Sequence, residues 1–251
     1  MDTQISENQK TWDAVAHNFF DASALPVWGP FGIGEDLNLI SEIKGKTFLE
    51  VACGSGRSTK YLLDNGAKKV YGLDFSITQF EEAKRFNTEY VDKENAIFIH
   101  GKMEDRLDIE PVDIVFSVYG IGWTQDPIVT FKNIYSYLKP GAQFIWSWDH
   151  SLFRDVVYEG GKFVVEHSYH NEEPMVLPDW KKKQGVNAYL TYRKVSSWFK
   201  LLKDAGFEII GYYEPKPKTL DWGSEKPTKY YSIQKAEKIP CSFIFVCRKS
   251  L

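Results

Sequence analysis

Five short apolar runs, each separated from the next by a helix-like or turn-like stretch, occupy residues 47–148. This alternation leaves the chain few architectures. The runs cover 47–52 (TFLEVA), 70–73, 96–100, 113–118 (DIVFSV) and 143–148. Helical spacing fills 57–65, where Tyr61, Leu62 and Leu63 are apolar and Asn65-Gly66 is a stop signal. Ser76 reads as the N-cap of a helix reaching about Phe86, and Asp126-Pro127 opens another that runs to Leu138 and stops at Lys139-Pro140-Gly141. Strands alternating with helices of this length predict right-handed βαβ units, hence an α/β, doubly wound parallel sheet covered on both faces.

Beyond residue 150 the pattern loosens. Residues 150–192 are irregular, with Gly160-Gly161, a strand expected at 162–169, and Pro174 and Pro178. Regular structure returns as a helix over 194–205 and strands over 207–213 and 242–248, with a Pro/Lys-rich segment at 214–240 between them. The expected organisation is an N-terminal addition at 1–46 and one domain at 47–251 carrying insertions at about 150–192 and 214–240.

Composition narrows the class. Hydrophobic residues make up 43% of the 251, enough for a real core, and the net charge is −3. A chain so balanced is not expected to bind nucleic acid through phosphate contacts. Lys181-Lys182-Lys183 and the lysines at 216–238, interrupted by Glu214, Asp221, Glu225 and Glu237, read as a solvated face. Cys241 and Cys247 would lie about 20 Å apart in an extended strand and cannot bridge, and Cys53 has no metal-ligand neighbours. No signal peptide and no apolar run of about 20 residues is evident. The expectation is a soluble, cytoplasmic protein without a metal or a membrane partner.

The first apolar run ends in Cys53-Gly54-Ser55-Gly56, and Asp74 closes the second, 20 positions after Gly54. Glycines between a strand and a helix let a ligand press against the main chain, and a carboxylate after the next strand suits ribose hydroxyls. A dinucleotide would want a third glycine where Thr59 stands, and Glu50, just upstream of the loop, would repel a diphosphate. It suits the ammonium of S-adenosylmethionine.

Residues 47–148 resemble the class I S-adenosylmethionine-dependent methyltransferases, in the broad group that includes quinone and sterol methyltransferases. The resemblance rests on LEVACGSG (49–56), GLDFS (72–76), HGKMED (100–105), DIVFSVYGIGW (113–123) and LKPGAQFIWSW (138–148). YRKVSSWFKLLKDAGFEII (192–210) is similar to the family's last helix and sixth strand, and 242–248 to its reversed seventh strand. The resemblance implies a Rossmann-like, seven-stranded sheet with an antiparallel last strand. It implies that Glu50, Ala52, Gly54 and Gly56 hold the methionine portion and Asp74 the ribose. Phe75 would lie on the adenine face, and the Lys102–Met103–Glu104 turn would meet the adenine edge through the Met103 amide. The Ser117 carbonyl would reach the methionine amino group. Many relatives have Asp where Lys102 stands, which puts a side-chain contact to the adenine amine in doubt.

Methyl transfer asks mainly for alignment in a dry site, with a base only if the acceptor must lose a proton. His150, just after the fifth strand, is the best-placed base, with a capping role as its alternative, and Asp149 reads as a turn cap. Aromatics are 16% of the chain. Trp12, Phe19 and Phe20 follow helical spacing, as a core stripe or as a lid over the cofactor. Trp28, in the Trp28-Gly29-Pro30-Phe31-Gly32 run, looks exposed and reads as a pocket wall. Tyr119, Trp123 and Trp148 fall at strand ends where an acceptor must lie. Together Trp12, Phe20, Trp28, Tyr119, Trp123 and Trp148 predict a small-molecule acceptor that is aromatic, apolar or amine-bearing. The acceptor atom and oligomeric state are left open. The rival readings are an NAD-dependent oxidoreductase and a non-catalytic module that binds the cofactor.

Overall fold

A computed structural model describes residues 2–21 and 25–251. Its strands are β1 (Thr47–Val51), β2 (Lys69–Asp74), β3 (Ala96–His100), β4 (Val112–Val118), β5 (Leu138–Asp149), β6 (Val156–Glu159), β7 (Lys162–Val165), β8 (Met175–Leu177), β9 (Ala188–Leu190), β10 (Glu208–Tyr213) and β11 (Ser242–Arg248). The helices are α1 (Asp2–Val15), α2 (Arg57–Asp64), α3 (Ile77–Phe86), α4 (Thr88–Val91), α5 (Pro127–Tyr137), α6 (Ser151–Asp155), α7 (Val195–Asp204) and α8 (Ile233–Ala236).

Seven strands form one sheet in the order β3-β2-β1-β4-β5-β11-β10. All pairs are parallel except those of β11, which runs antiparallel to β5 and β10. The doubly wound α/β expectation and the reversed last strand are both present. Capping chemistry sets the helix starts: Ser76 Oγ accepts from Gln79 N at 3.2 Å, and Asp126 Oδ1 accepts from Val129 N at 3.1 Å ahead of Pro127. Two boundaries differ from expectation. β5 begins at Leu138, because Pro140-Gly141 is absorbed into the edge of the strand. The hairpin strand ends at Val165, where its pairing with β6 across Gly160-Gly161 runs out.

Alternation along the strands feeds two cores. Leu49, Val51, Trp146, Phe131 and Trp198 pack on one face, and Phe48, Phe116, Ile145, Ile244 and Leu62 on the other. A smaller cluster of Phe31, Ile33, Phe153, Ala236 and Cys241 lies beneath the 214–240 segment. All three cysteines are buried and free. Among the described residues no helix is long and apolar enough to cross a membrane, and no group of three or more His, Cys, Asp or Glu has the disposition of a metal site.

The three additions converge on the carboxyl edge of the sheet. α1 crosses it, with Asn8 bonded to the backbone of Tyr189 in both directions and Gln9 Nε2 donating to Phe75 O at 2.8 Å. Trp148, at the end of β5, lies flat on the backbone of Gly122, where a Cβ would fall 1.7 Å from the indole. Gly122→Ala is expected to overpack this contact and cost roughly 1–3 kcal/mol. Urea unfolding checks it, and an unchanged midpoint would mean the indole does not rest there.

Candidate active site

At the end of β1 the chain leaves the sheet through Ala52, held at φ 59°, and enters α2 through Gly56 at φ 73°. Any Cβ at Gly56 would meet Asn87 Nδ2 at 2.7 Å, and that amide donates to Gly56 O at 3.1 Å. Glycine is therefore required there sterically and conformationally. Parallel register places Asp74 beside this loop. Its Oδ2 accepts from Gly54 N at 2.8 Å and its Oδ1 from Ser76 N at 2.9 Å. A carboxylate has roughly four acceptor positions, so about two remain for ligand hydroxyls. Burial pushes the Asp74 carboxyl up to about 6, against the pull of the two amides.

Glu50 is 4% exposed and accepts from Thr59 Oγ1 at 3.1 Å. Burial pushes it up to about 8, and the groups that oppose the shift are the hydroxyls of Thr59 and Ser58 and a backbone amide, with no cation among them. Arg57, the cation next to the loop, turns away to Phe20 O, Asp21 and the Phe86 ring. Neither buried carboxylate is paired with a lysine or arginine among the described residues, which fits a ligand carrying an ammonium and a ribose and fits a diphosphate poorly.

Ala52, Asp74, Phe75, Lys102, Met103 and Glu104 come together along one cleft, joined by Trp123 and Gln125 and covered by Ile5 and Asn8 of α1. Its free volume is about 20 Å³, room for about one water. Asn133 Nδ2 fixes the turn at the cleft's edge by donating to Glu104 O at 2.8 Å, and Glu104 Oε1 accepts from Thr124 Oγ1 at 2.8 Å and Gln125 N at 2.9 Å. Glu50, Gly54, Gly56 and Ser117 are outside that lining. Ser117 is fully buried, with Oγ donating to Val51 O at 2.7 Å.

The aromatic expectations divide. Trp12, Phe19, Trp123 and Trp180 stack edge to face or in parallel with centroids 5.0–6.3 Å apart, and Trp123 leads on to Trp148 and Tyr119. Trp28 is a correction. It is 1% exposed and packs on Phe116 in the opposite core, because the Gly-Pro run folds inward rather than lining a pocket. Phe20 joins the site through its backbone, its carbonyl accepting from Ser55 Oγ at 3.0 Å and Arg57 Nε at 2.8 Å.

His150 is likewise tied down. Its Nδ1 accepts from Leu152 N at 3.2 Å as the cap of α6, and its Nε2 lies 3.2 Å from Glu214. Burial lowers its pKa, against the pull of Glu214. With both ring nitrogens engaged, it serves as a cap and not as a free base. Asp149 is no turn cap: its Oδ1 accepts from Tyr231 Oη at 2.8 Å and its Oδ2 from Tyr230 Oη at 3.3 Å. Among the described residues the lysine expectation fails only at Lys235, which is 4% exposed and donates to Phe153 O and Val156 O; Lys181 and Lys183 are exposed, the first with its ammonium over the Phe19 and Trp180 rings and the second donating to Ala14 O. Asn8, Asn133 and the tyrosine pair were not foreseen. Only the Tyr230-Tyr231 doublet in a lysine-rich stretch hinted at them.

Residues 49–146 match the family described as a methyltransferase domain. Over this span, less than half of its length, the chain is similar to methyltransferase domains. Its fold agrees with a solved S-adenosylmethionine-dependent methyltransferase from Mesorhizobium loti, 21% identical, with TM-score 0.66 over 84% of this chain and 95% of that one. Among curated proteins it is similar to the tRNA U34 carboxymethyltransferase of Alteromonas mediterranea, 31% identical over 42% of this chain and 33% of that protein. It is also similar to the ubiquinone biosynthesis O-methyltransferase of Coxiella burnetii, 24% identical over 74% of this chain and 89% of that protein. The chain spans about a third of the length of the first of these relatives. The cofactor of the superfamily is S-adenosyl-L-methionine, which supplies an activated methyl group and leaves as S-adenosyl-L-homocysteine.

The Glu50 shift gives the methyltransferase domain a proton signature. Between the usual carboxylate range and about pH 8 the ligand-free fold keeps a proton on Glu50 that the unfolded chain lacks, so its stability falls as pH rises through that window. An ammonium bound beside Glu50 expels the proton. S-adenosylhomocysteine affinity is therefore expected to rise with pH up to about 8, with proton release seen by calorimetry in buffers of different ionisation enthalpy. Glu50→Gln should flatten both slopes. Asp74→Ala should weaken binding by roughly 1–3 kcal/mol or more, and unchanged affinity would mean the ribose lies elsewhere.

Proposed function

We propose that this chain transfers a methyl group from S-adenosylmethionine to a small-molecule acceptor held under the cap formed by 1–46, 150–192 and 214–240. The observation that carries this reading is the aromatic cluster of Trp12, Trp123, Trp148 and Trp180 at the carboxyl edge of the sheet, which meets the cofactor cleft at Trp123. A dry, aromatic-walled site suits alignment of a compact acceptor with the methyl group. A polymer strand would need an open, positively charged groove, whereas the exposed lysines of 214–240 are interrupted by Glu214, Asp221, Glu225 and Glu237. The extent of similarity to the ubiquinone O-methyltransferase, compared with the shorter span shared with the tRNA enzyme, supports the same side.

Within that reading, Glu50 and the Gly54–Gly56 loop hold the methionine end, Asp74 the ribose, and Phe75 with the Met103 turn the adenine. Ile5 and Asn8 cover the cleft, so α1 must shift to admit the cofactor. The acceptor panel that tests it is a cell extract split by size and incubated with methyl-labelled S-adenosylmethionine. Label is expected in molecules below about 1 kDa, the scale of drug-sized ligands. Label confined to tRNA or protein would overturn the small-molecule assignment.

A further inference from the structure

Beside the cofactor cleft lies a second, larger cavity. Its volume is about 490 Å³, the size of a small-molecule site, against about 20 Å³ for the cleft. Gln125 lines both spaces, and α1 sends Gln4 into this cavity and Ile5 into the cleft. Glu172 and Pro174 of the 150–192 insertion form one wall, and the first turns of α7 another.

One cation of the lining lacks a counter-ion. Arg193 is partly buried, and its guanidinium carbon lies 5.2 Å from the centre of the Trp198 ring, itself fully buried. Its Nη1 is buried and has no hydrogen-bond partner among the described residues. Burial opposes its charge, and the carboxylates that favour that charge, Glu172 and Asp126, act without a hydrogen bond to it. Both are committed elsewhere. Glu172 accepts from Lys194 N at 2.7 Å and Ser197 Oγ at 2.9 Å and pairs with Lys194 Nζ at 3.4 Å, and Asp126 caps α5. The other cation of the lining, Lys200, is paired with Asp204. A guanidinium is always charged and offers five donors in a flat fork, so an unpaired one in a cavity wall calls for an anionic acceptor.

The rest of the lining narrows the anion. Glu172 keeps a negative charge in the wall and only Arg193 is unpaired, so the site balances a single charge and repels a phosphate dianion. Pro127, Pro174 and Leu201 supply apolar surface, and Thr191, 8% exposed, adds a hydroxyl. A monocarboxylate with an apolar body meets these conditions, and its two oxygens match the guanidinium fork.

We propose that this cavity is a binding site for a small organic carboxylate with an apolar body, its carboxylate seated on Arg193, and that it fills alongside the cofactor cleft with Gln125 between the two. The ligand brings the acceptor that the guanidinium lacks, and the Glu172–Lys194 and Lys200–Asp204 pairs stay as they are. The site stands whichever molecule receives the methyl group.

The test uses the intact chain and ligand-observed NMR titrations with phenylacetate, its uncharged counterpart 2-phenylacetamide and the dianion phenyl phosphate. Phenylacetate is expected to bind at least about tenfold more tightly than the amide, and Arg193→Gln to erase that difference. Pro174→Glu, at an exposed residue of the same wall, is expected to weaken the carboxylate several-fold and leave the amide unchanged. It keeps the test decisive if Arg193→Gln does not fold. No binding of phenylacetate, equal binding of the amide, a preference unmoved by the substitutions, or tighter binding of phenyl phosphate would each overturn the proposal. Phenylacetate is expected to bind equally in saturating S-adenosylhomocysteine, and displacement of one by the other would put both in one site and overturn it too. Absence of S-adenosylhomocysteine binding would strike the methyltransferase reading alone, because the comparison of carboxylate with amide needs no cofactor.

Discussion

One buried carboxylate sets the geometry on which the rest of the site depends. Asp74 ends β2 and accepts from Gly54 N and Ser76 N, so a single side chain fixes the turn out of β1 and the turn out of β2. Ser76 then caps α3 and donates to Asp13 Oδ1 of α1 at 2.6 Å. The glycine loop, the α3 start and the covering helix are therefore parts of one hydrogen-bonded unit. Keeping a carboxylate at 7% exposure costs free energy, visible as its raised pKa, and that cost is offset only when donors converge on it. Ribose hydroxyls are two further donors of the right kind.

The same logic recurs at Glu50 and Asp149. All three carboxylates lie at strand ends, all are buried, and burial raises all three. They differ in their partners. Asp74 is met by backbone amides, Glu50 by two hydroxyls and one backbone amide, and Asp149 by tyrosines brought from the 214–240 segment. Buried carboxyl groups thus sit at the carboxyl ends of the strands, above two apolar cores. The 214–240 segment supplies the tyrosines, and the sheet supplies the carboxylates.

How much of this was legible in the sequence follows from how local each feature is. The glycine loop, Asp74 and the Ser76 cap lie within two successive strand–turn–helix units, so spacing exposes them, whereas the Met103 turn, held by Asn133 from α5, was reached only through the family resemblance. Asp149 was read as a turn cap because its partners, Tyr230 and Tyr231, are more than 80 residues away in the chain. Trp28 was read as exposed because Gly and Pro flank it, whereas its indole fills a gap against Phe116 that only the folded sheet creates. Lys235 looked solvated because a lysine's neighbours along the chain say nothing of the carbonyls it meets across the fold. His150 was correctly placed at the end of β5, yet the side chain that faces the tyrosines is its neighbour.

The central claim is that the buried carboxyl groups of Glu50 and Asp74 favour a cationic amino-acid nucleoside over a diphosphate. Parallel calorimetric titrations of the intact chain with S-adenosylhomocysteine and with NADH test it most directly. The account predicts saturable one-site binding of S-adenosylhomocysteine and none of NADH. Binding of NADH with no heat from S-adenosylhomocysteine would contradict it.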